Sequence, residues 1–352
     1  MKDSKIIVTG SHLSKKHGFT FNEIIENNFK IYKKIRVSNI TKSQNNILKD
    51  TGDLLKKISA LFRKESPKLI ILLGDRLEIL AVSLAAYIYR IPIAHIHGGE
   101  LTTGSLDDGF RHCISKLSTI HFPSNNIYMK RLIQLGESPK TVFNVGALGV
   151  ENIFKTKLLS KNEIQKQLKI KLKKNIISIC LQPEITKKLT KNLARQTLDA
   201  LEKYNDKTLI FTMPGADLNN EILFEKIKKF VSNKKNSYFF KNLGSQKYLS
   251  LLKISDICLG NSSSGIIEMP VFKKPTVNIG DRQDGRVKSE SIIDVKPKKV
   301  LIQKTIDQIY SGKIKRKFNI FRKRETAKKI HTLIKNFNFK KYNNKKFYDI
   351  SF

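Results

Sequence analysis

The chain has 352 residues, 40% of them hydrophobic, and a formal net charge of +37 at pH 7. That length suits two domains rather than one core, and no apolar run approaches the ~18 to 20 residues of a membrane span. The charge is mostly lysine, since only twelve of the 67 basic residues are Arg; with no finger or RNP-like motif, a solvated lysine surface is expected and a specific nucleic-acid partner is not.

The segment KIIVT (5–9) reads as a short buried strand with no secretory h-region before it. Three widely spaced cysteines, Cys113, Cys180 and Cys258, suit neither a disulfide framework nor a zinc site. A reduced, cytoplasmic setting and no metal are therefore expected. The strand breaks at Gly10-Ser11-His12, and the polar loop running to Phe21 can offer backbone N–H groups to a phosphate. Helices follow at 22–28 and 43–64, the second with an apolar face of Ile47, Leu48, Leu54, Leu55, Ile58 and Leu61.

The stretch 72–100 carries the strongest local signal. An apolar run, Leu69 to Leu73, stops at Gly74-Asp75-Arg76 and gives way to a helix through Leu77, Leu80, Ala81 and Leu84. A second run, Ile91 to Ile96, ends in His97-Gly98-Gly99-Glu100. In an open parallel sheet, ligands bind outside the carboxyl ends of the strands, so Asp75, Arg76, His97 and Glu100 are expected at one sheet edge. Alternation along the strand turns His95 away from His97.

Asp107 and Asp108 precede a helix whose first turns hold Arg111 and His112. Either aspartate suits a helix cap, and one cap leaves the other for chemistry. Short strands read at 118–122 and 140–145. His17, His121 and His331 adjoin no motif strand end and read as surface or core-edge residues.

A Lys-rich helical segment (150–174) leads to a second half with strands at 175–181, 207–213, 236–240 and 256–259. Helices fit 187–204, 219–232, 246–254 and 263–269. The repeated βα rhythm predicts an α/β protein of two doubly wound, Rossmann-like domains facing across a cleft, 1–160 and 170–352. A last helix at about 320–337 can return to the first domain. The basic, aromatic stretch after it has no pattern that places it. Within LGNSSSGIIEMP (259–270), Ser262, Ser263, Ser264 and Gly265 let a backbone approach a diphosphate, and Glu268 stands one turn on, where it can meet ribose hydroxyls. An ordinary serine N-cap is the competing reading, but three consecutive serines exceed what a cap needs, which favours the phosphate. Pro214-Gly215-Ala216-Asp217 and Gly280-Asp281-Arg282-Gln283 are further polar strand ends.

VTGSHLS (8–14), LGDRLE (73–78), the run 91–122, TMPGAD (212–217) and the run 260–286 together resemble the hydrolysing UDP-N-acetylglucosamine 2-epimerases of sialic and legionaminic acid synthesis. The resemblance covers nearly the whole chain. It implies a GT-B-like fold with the nucleotide held by the C-terminal half, no cofactor, and a homo-oligomer, dimer or tetramer. It also implies chemistry at C2 of a UDP-2-acetamido sugar: elimination to a 2-acetamidoglycal, then addition of water at C1. Asp75 and Asp107 match two catalytic carboxylates of the family, and Glu100 matches a further glutamate. His97 stands where better-known members have a third catalytic Glu, in a sequence like IEGGE. Gln182 stands where relatives commonly have the His of a His-Pro pair, with phosphate within reach of its amide. Arg76 and His112 are expected among the binding residues.

A non-hydrolysing epimerase, a GT-B glycosyltransferase and a non-catalytic nucleotide-sugar binder share much of this pattern. The cluster of Asp75, His97, Glu100, Asp107 and Asp108 favours proton chemistry over sugar transfer.

Overall fold

The structure, a computed structural model, describes residues 4–15, 18–37, 43–103, 105–215, 218–314, 325–342 and 344–351. His17 and Asp217 lie outside them. In the first half, β1 (Ile6–Thr9) pairs in parallel with β2 (Ile31–Ile35), and β3 (Ile70–Leu73), β4 (Ile93–Ile96) and β5 (Ile120–Phe122) form a parallel sheet in that order. Around them run α1 (Asn22–Glu26), α2 (Gln44–Glu65), α3 (Leu77–Ile88), α4 (Asp107–Leu117), α5 (Asn126–Gln134) and α6 (Leu148–Lys155). The 3.6-residue period of α2 delivers Leu54, Ile58, Leu61 and Phe62 to a core shared with Ala81, Ala85, Ala86 and Ile93.

The second half holds α7 (Lys161–Leu168), β6 (Ile176–Cys180), α8 (Lys187–Leu201), β7 (Thr208–Thr212), α9 (Asn220–Ser232), β8 (Ser237–Phe240), α10 (Gly244–Ile254), β9 (Ile257–Gly260) and α11 (Ser263–Ile267). It continues with β10 (Thr276–Ile279), β11 (Ile292–Val295), α12 (Lys299–Tyr310) and α13 (Thr326–Asn336). Its parallel sheet has the order β8-β7-β6-β9-β10-β11. Strand order reverses between β6 and β9, and at such a switch point two neighbouring crossovers diverge and leave a crevice beyond the strand ends. Gln182 and Asn261 follow these two strands. The chain is thus α/β, with two Rossmann-like halves.

Some local expectations change. Residues 140–145 form no strand: Pro139–Thr141 turn as a 3-10 helix, and Val142 then makes one isolated bridge to His121 in the middle of β5. The span 150–174 is two helices, since Ser160 and Glu163 form a reciprocal capping box that starts α7 afresh. The helix expected over 263–269 stops at Ile267 and tightens into a 3-10 turn holding Pro270, which cannot continue an α-helix. β2, α5, β10, β11 and α12 come in addition to the elements read from the sequence. Helix α13 lies on the first half, where Ile330 and Ile334 pack with Ala94, Ile96, Ile120 and Phe122.

Candidate active site

β3 and β4 are parallel neighbours, Leu73 opposite Ile96, so the loops that follow them leave the same sheet edge. Fully buried His95 on β4 fastens that edge: its Nε2 lies 2.8 Å from the Gly74 carbonyl oxygen and its Nδ1 lies 3.1 Å from Ser115 Oγ on α4. A carbonyl only accepts, so Nε2 carries the proton and Nδ1 accepts from the serine. Burial pushes the imidazole pKa down to about 3, against the pull of the Gly74 carbonyl. His95 is therefore neutral at pH 7. Its folded pKa lies below the unfolded value of about 6.5, so the unfolded chain takes the proton first. Stability is full above that pH and declines by up to roughly 1.4 kcal/mol per pH unit as pH falls toward 3. Nitrogen-15 NMR is expected to show His95 as the neutral Nε2–H tautomer at about pH 5; an imidazolium signal there would contradict this account.

Arg111, on the second turn of α4, is 1% exposed and is the hub of the site. Its Nη1 donates to the Glu100 carbonyl at 3.0 Å and to Asp108 Oδ1 at 3.2 Å. Its Nη2 donates to Asp75 Oδ2 and, at 2.9 Å, to Thr102 Oγ1. One guanidinium fork thus holds the loop after β3, the loop after β4 and the start of α4 together. Asp108 also accepts from the Thr102 N–H. Neither aspartate precedes the helix as a cap: they are its first two residues, and the N-cap is Leu106, with no side-chain cap bond. Asp107, the first residue of α4, is half-buried, and its N–H donates to Ser105 Oγ at 3.3 Å. His112 Nε2 lies 3.7 Å from Asp108 Oδ2; burial lowers its pKa, although Asp108 opposes the shift.

His97 sits in left-handed backbone, φ 68°, a region costly for a residue with a Cβ. The turn continues through Gly99, φ 79°, where a Cβ would strike the Tyr128 carbonyl oxygen. This geometry folds His97 back so that Nδ1 is 2.8 Å from Glu100 Oε1. Ser124 donates to the same oxygen at 3.2 Å. Burial alone would raise the Glu100 pKa, but Arg286, His97 and Arg111 outweigh it and hold the group below the usual carboxylate range. Glu100 is then a pure acceptor, which puts the His97 proton on Nδ1 and turns Nε2 into the basic nitrogen.

Arg286 comes from the other half of the molecule. It donates to Glu100 Oε2 and, at 3.2 Å, to Thr102 Oγ1, while the Val287 N–H donates to Tyr128 Oη at 3.0 Å. Glu100, Ser124, Tyr128, Ala147, Ile267 and Arg286 line a narrow cleft between the halves. Ile267 is the last residue of α11, the short helix that the serine-rich turn opens.

Within that turn, Ser262 is the N-cap of α11 and accepts from the Ser264 N–H at 3.4 Å. Ser263 opens the helix, and the Gly265 N–H donates to the Ser262 carbonyl at 3.2 Å. Glu268 Oε2 is buried without a hydrogen-bond partner, and Oε1 would lie 3.6 Å from a Cβ built on Gly149 at the start of α6. Burial raises the Glu268 pKa, with Ser264 opposing. Gln182 stands apart, tied into the switch point: its Oε1 accepts from the Gly215 N–H at 2.7 Å, and its own N–H donates to Asn261 Oδ1 at 2.6 Å. Arg76 is at the N-cap of α3, with its Nε 3.6 Å from Glu78. Among the described residues, no three His, Cys, Asp or Glu side chains gather as a metal site.

The sequence profile described as UDP-N-acetylglucosamine 2-epimerase matches residues 2–335. The chain belongs to this family. It is 42% identical to the GDP/UDP-N,N'-diacetylbacillosamine 2-epimerase (hydrolyzing) of Campylobacter jejuni over 82% of this chain and 76% of the relative. It is 35% identical to the polysialic acid biosynthesis protein P7 of Escherichia coli, over 98% and 90% of the two chains. Its fold matches that of UDP-GlcNAc 2-epimerase from Neisseria meningitidis, solved bound to UDP-GlcNAc, with TM-score 0.77 at 17% identity, covering 95% of this chain and 92% of that one.

For this 2-epimerase family member, sequence reasoning left Arg111 and Arg286 out of the candidate site. A compositional signal for both was present. In a chain with so few arginines, those that persist mark places where a planar fork is needed and lysine will not serve. Arg111, Arg131, Arg282 and Arg286 all donate to main-chain or carboxylate oxygens around the two sheet edges.

Proposed function

We propose that the chain is a hydrolysing 2-epimerase of a UDP-2-acetamido sugar. The substrate is UDP-GlcNAc or its 2,4-diacetamido-6-deoxy analogue, and the product feeds nonulosonic (sialic or legionaminic) acid synthesis. The name of the Campylobacter jejuni relative favours the diacetamido sugar and leaves UDP and GDP as candidate nucleotides. The observation that carries the reading is the convergence on Arg111 of the loops after β3 and β4 and the first turn of α4, with Arg286 of the second half on Glu100.

In this reading residues 1–160 hold the sugar and 170–352 hold the nucleotide. One group removes the C2 proton as the C1–O bond to the diphosphate breaks, leaving the 2-acetamidoglycal. Water then adds its oxygen at C1, and C2 takes a proton on the opposite face. Two faces of one carbon need two proton-handling groups. His97, backed by Glu100, is one; Asp75, with Asp107 preceding the Asp108 of the Arg111 knot, supplies the other. Ser262, Ser263, Ser264 and Gly265 receive the departing diphosphate, with Arg76, His112 and Gln182 at the margins of the substrate. The enzyme works in the cytoplasm, which suits its three free thiols, and as a homo-oligomer, for which the exposed Tyr87 and Ile88 of α3 offer an apolar surface.

Proton NMR of the reaction in deuterium oxide tests this, using UDP-GlcNAc and the UDP- and GDP-linked diacetamido sugars. Free nucleoside diphosphate with a 2-epimerised sugar deuterated at C2 is expected. A nucleotide-linked 2-epimer would show the non-hydrolysing reaction, and a product with protium at C2 would exclude proton removal there. Glu268→Ala is expected to raise KM about tenfold with kcat little changed, through lost ribose contacts. An unchanged KM would place the nucleotide elsewhere.

A further inference from the structure

The segment 344–351, whose place in the fold the sequence leaves open, runs past the end of α4 opposite the candidate site. Lys345 Nζ there donates to the carbonyl oxygens of Ser115, Lys116 and Ser118 at 3.2, 2.6 and 2.8 Å. These carbonyls lie at the C-terminal end of α4, the negative end of the helix dipole, and that of Ser115 also accepts from the N–H of the C-cap residue Ser118 at 3.1 Å. Lys345 Nζ also lies 2.6 Å from Glu137 Oε2, and Glu137, itself 1% exposed, meets His121 at 2.9 Å and Lys116 at 3.2 Å. His121 is thus neither a surface nor a core-edge residue. It is fully buried, and the Glu137 it meets is shared with Lys345. The segment is anchored again two residues on. The Phe347 ring fills the space a Cβ would take on Gly136, Lys116 Nζ stands 4.4 Å from the ring centroid, and the Tyr348 N–H donates to the Gly136 carbonyl at 3.0 Å.

Helix α4 therefore has two fastened ends. Its 11 residues make a rod of about 16 Å, with Asp107, Asp108, Arg111 and His112 near one end and the Lys345 ammonium at the other. Ser115, between them, is the residue that meets His95 and through it Gly74, next to Asp75. A slide or rotation of α4 would carry Arg111 away from Asp75 and the Glu100 carbonyl together.

We propose that residues 344–351 form a strap for the candidate active site, in which Lys345 is a positioning residue that caps α4 and sets where Arg111 and Asp107 stand. Lys345 touches no reacting atom, and its effect on turnover rests on the reading of Arg111 and Asp107 given above. Burial holds its pKa down to about 8, with Glu137 pulling upward, so at pH 7 it is still the three-donor ammonium that the carbonyls require.

The test compares Lys345→Met, Lys345→Arg and Phe347→Ala with the wild type, by steady-state kinetics on the nucleotide sugar and by hydrogen exchange of peptides covering 107–118. In Lys345→Met, kcat is expected to fall about tenfold with KM nearly unchanged, since misplacing groups by a fraction of an ångström costs rate more than binding. Exchange should quicken along the whole of α4, its first turn included. Lys345→Arg, which keeps a cation at the helix end, should recover part of both losses. If Lys345→Met does not fold, Phe347→Ala, which loosens the strap and keeps the ammonium, should show the same pattern at smaller amplitude. A folded Lys345→Met with wild-type kcat and wild-type exchange at 107–111 would overturn the proposal. If the wild type turns over no nucleotide sugar, the functional reading fails, and the exchange at 107–111 still decides the strap.

Discussion

Asp75→Asn is expected to lower turnover by about 10²- to 10⁴-fold, the loss typical of removing a general acid or base, with nucleotide affinity close to wild type. The substitution is isosteric. An amide oxygen can still accept from Arg111 Nη2, so the loop after β3 keeps its tie to α4. What disappears is a group able to take or return a proton at the sugar C2. Turnover from initial rates and UDP affinity by calorimetry separate these effects. Wild-type turnover in a folded Asp75→Asn protein would remove Asp75 from the mechanism.

Arg111→Met should cost about 3 to 5 kcal/mol of folding stability, as expected for breaking a buried ion pair by removing one partner. Methionine roughly fills the space but leaves Asp75 and Asp108 without their shared cation and the Glu100 carbonyl without its guanidinium donor, while the Thr102 hydroxyl keeps only Arg286. Arg111→Lys should fold better yet lose most activity. A single ammonium cannot reproduce a planar fork that spans four acceptors on three segments. Urea unfolding of both variants at neutral pH provides the check. A loss below about 1 kcal/mol in Arg111→Met, the range of an exposed pair, would mean that the knot does not hold the site together.

Legibility divides along the distance between partners in the chain. Asp75, His97 and Glu100 were readable because apolar runs end at them, and in a parallel sheet the end of a run is a place in space as well as in sequence. His95 was readable as inward-facing from alternation alone, and its full burial agrees. The start of α7 was also local, since Ser160 and Glu163 spell a capping box three residues apart. It went unread because the surrounding lysines suggested one unbroken helix. For Asp107 and Asp108 the local rule misled: both lie inside the helix, and Asp108 is spent on Arg111 and the Thr102 N–H.

By itself the amino-acid sequence determined the α/β class, the βα rhythm, the polar strand ends and the serine-rich turn. Each follows from steric preference and hydrophobic period within about twenty neighbouring residues. Only the tertiary structure decided that Arg111 would be the hub, that Arg286 would reach Glu100 across the cleft, and that Lys345 would close the far end of α4. Those partners lie 36, 186 and more than 220 residues apart. No local propensity encodes such pairs, which exist because packing two sheets and returning α13 to the first half brings buried donors to buried acceptors that need them.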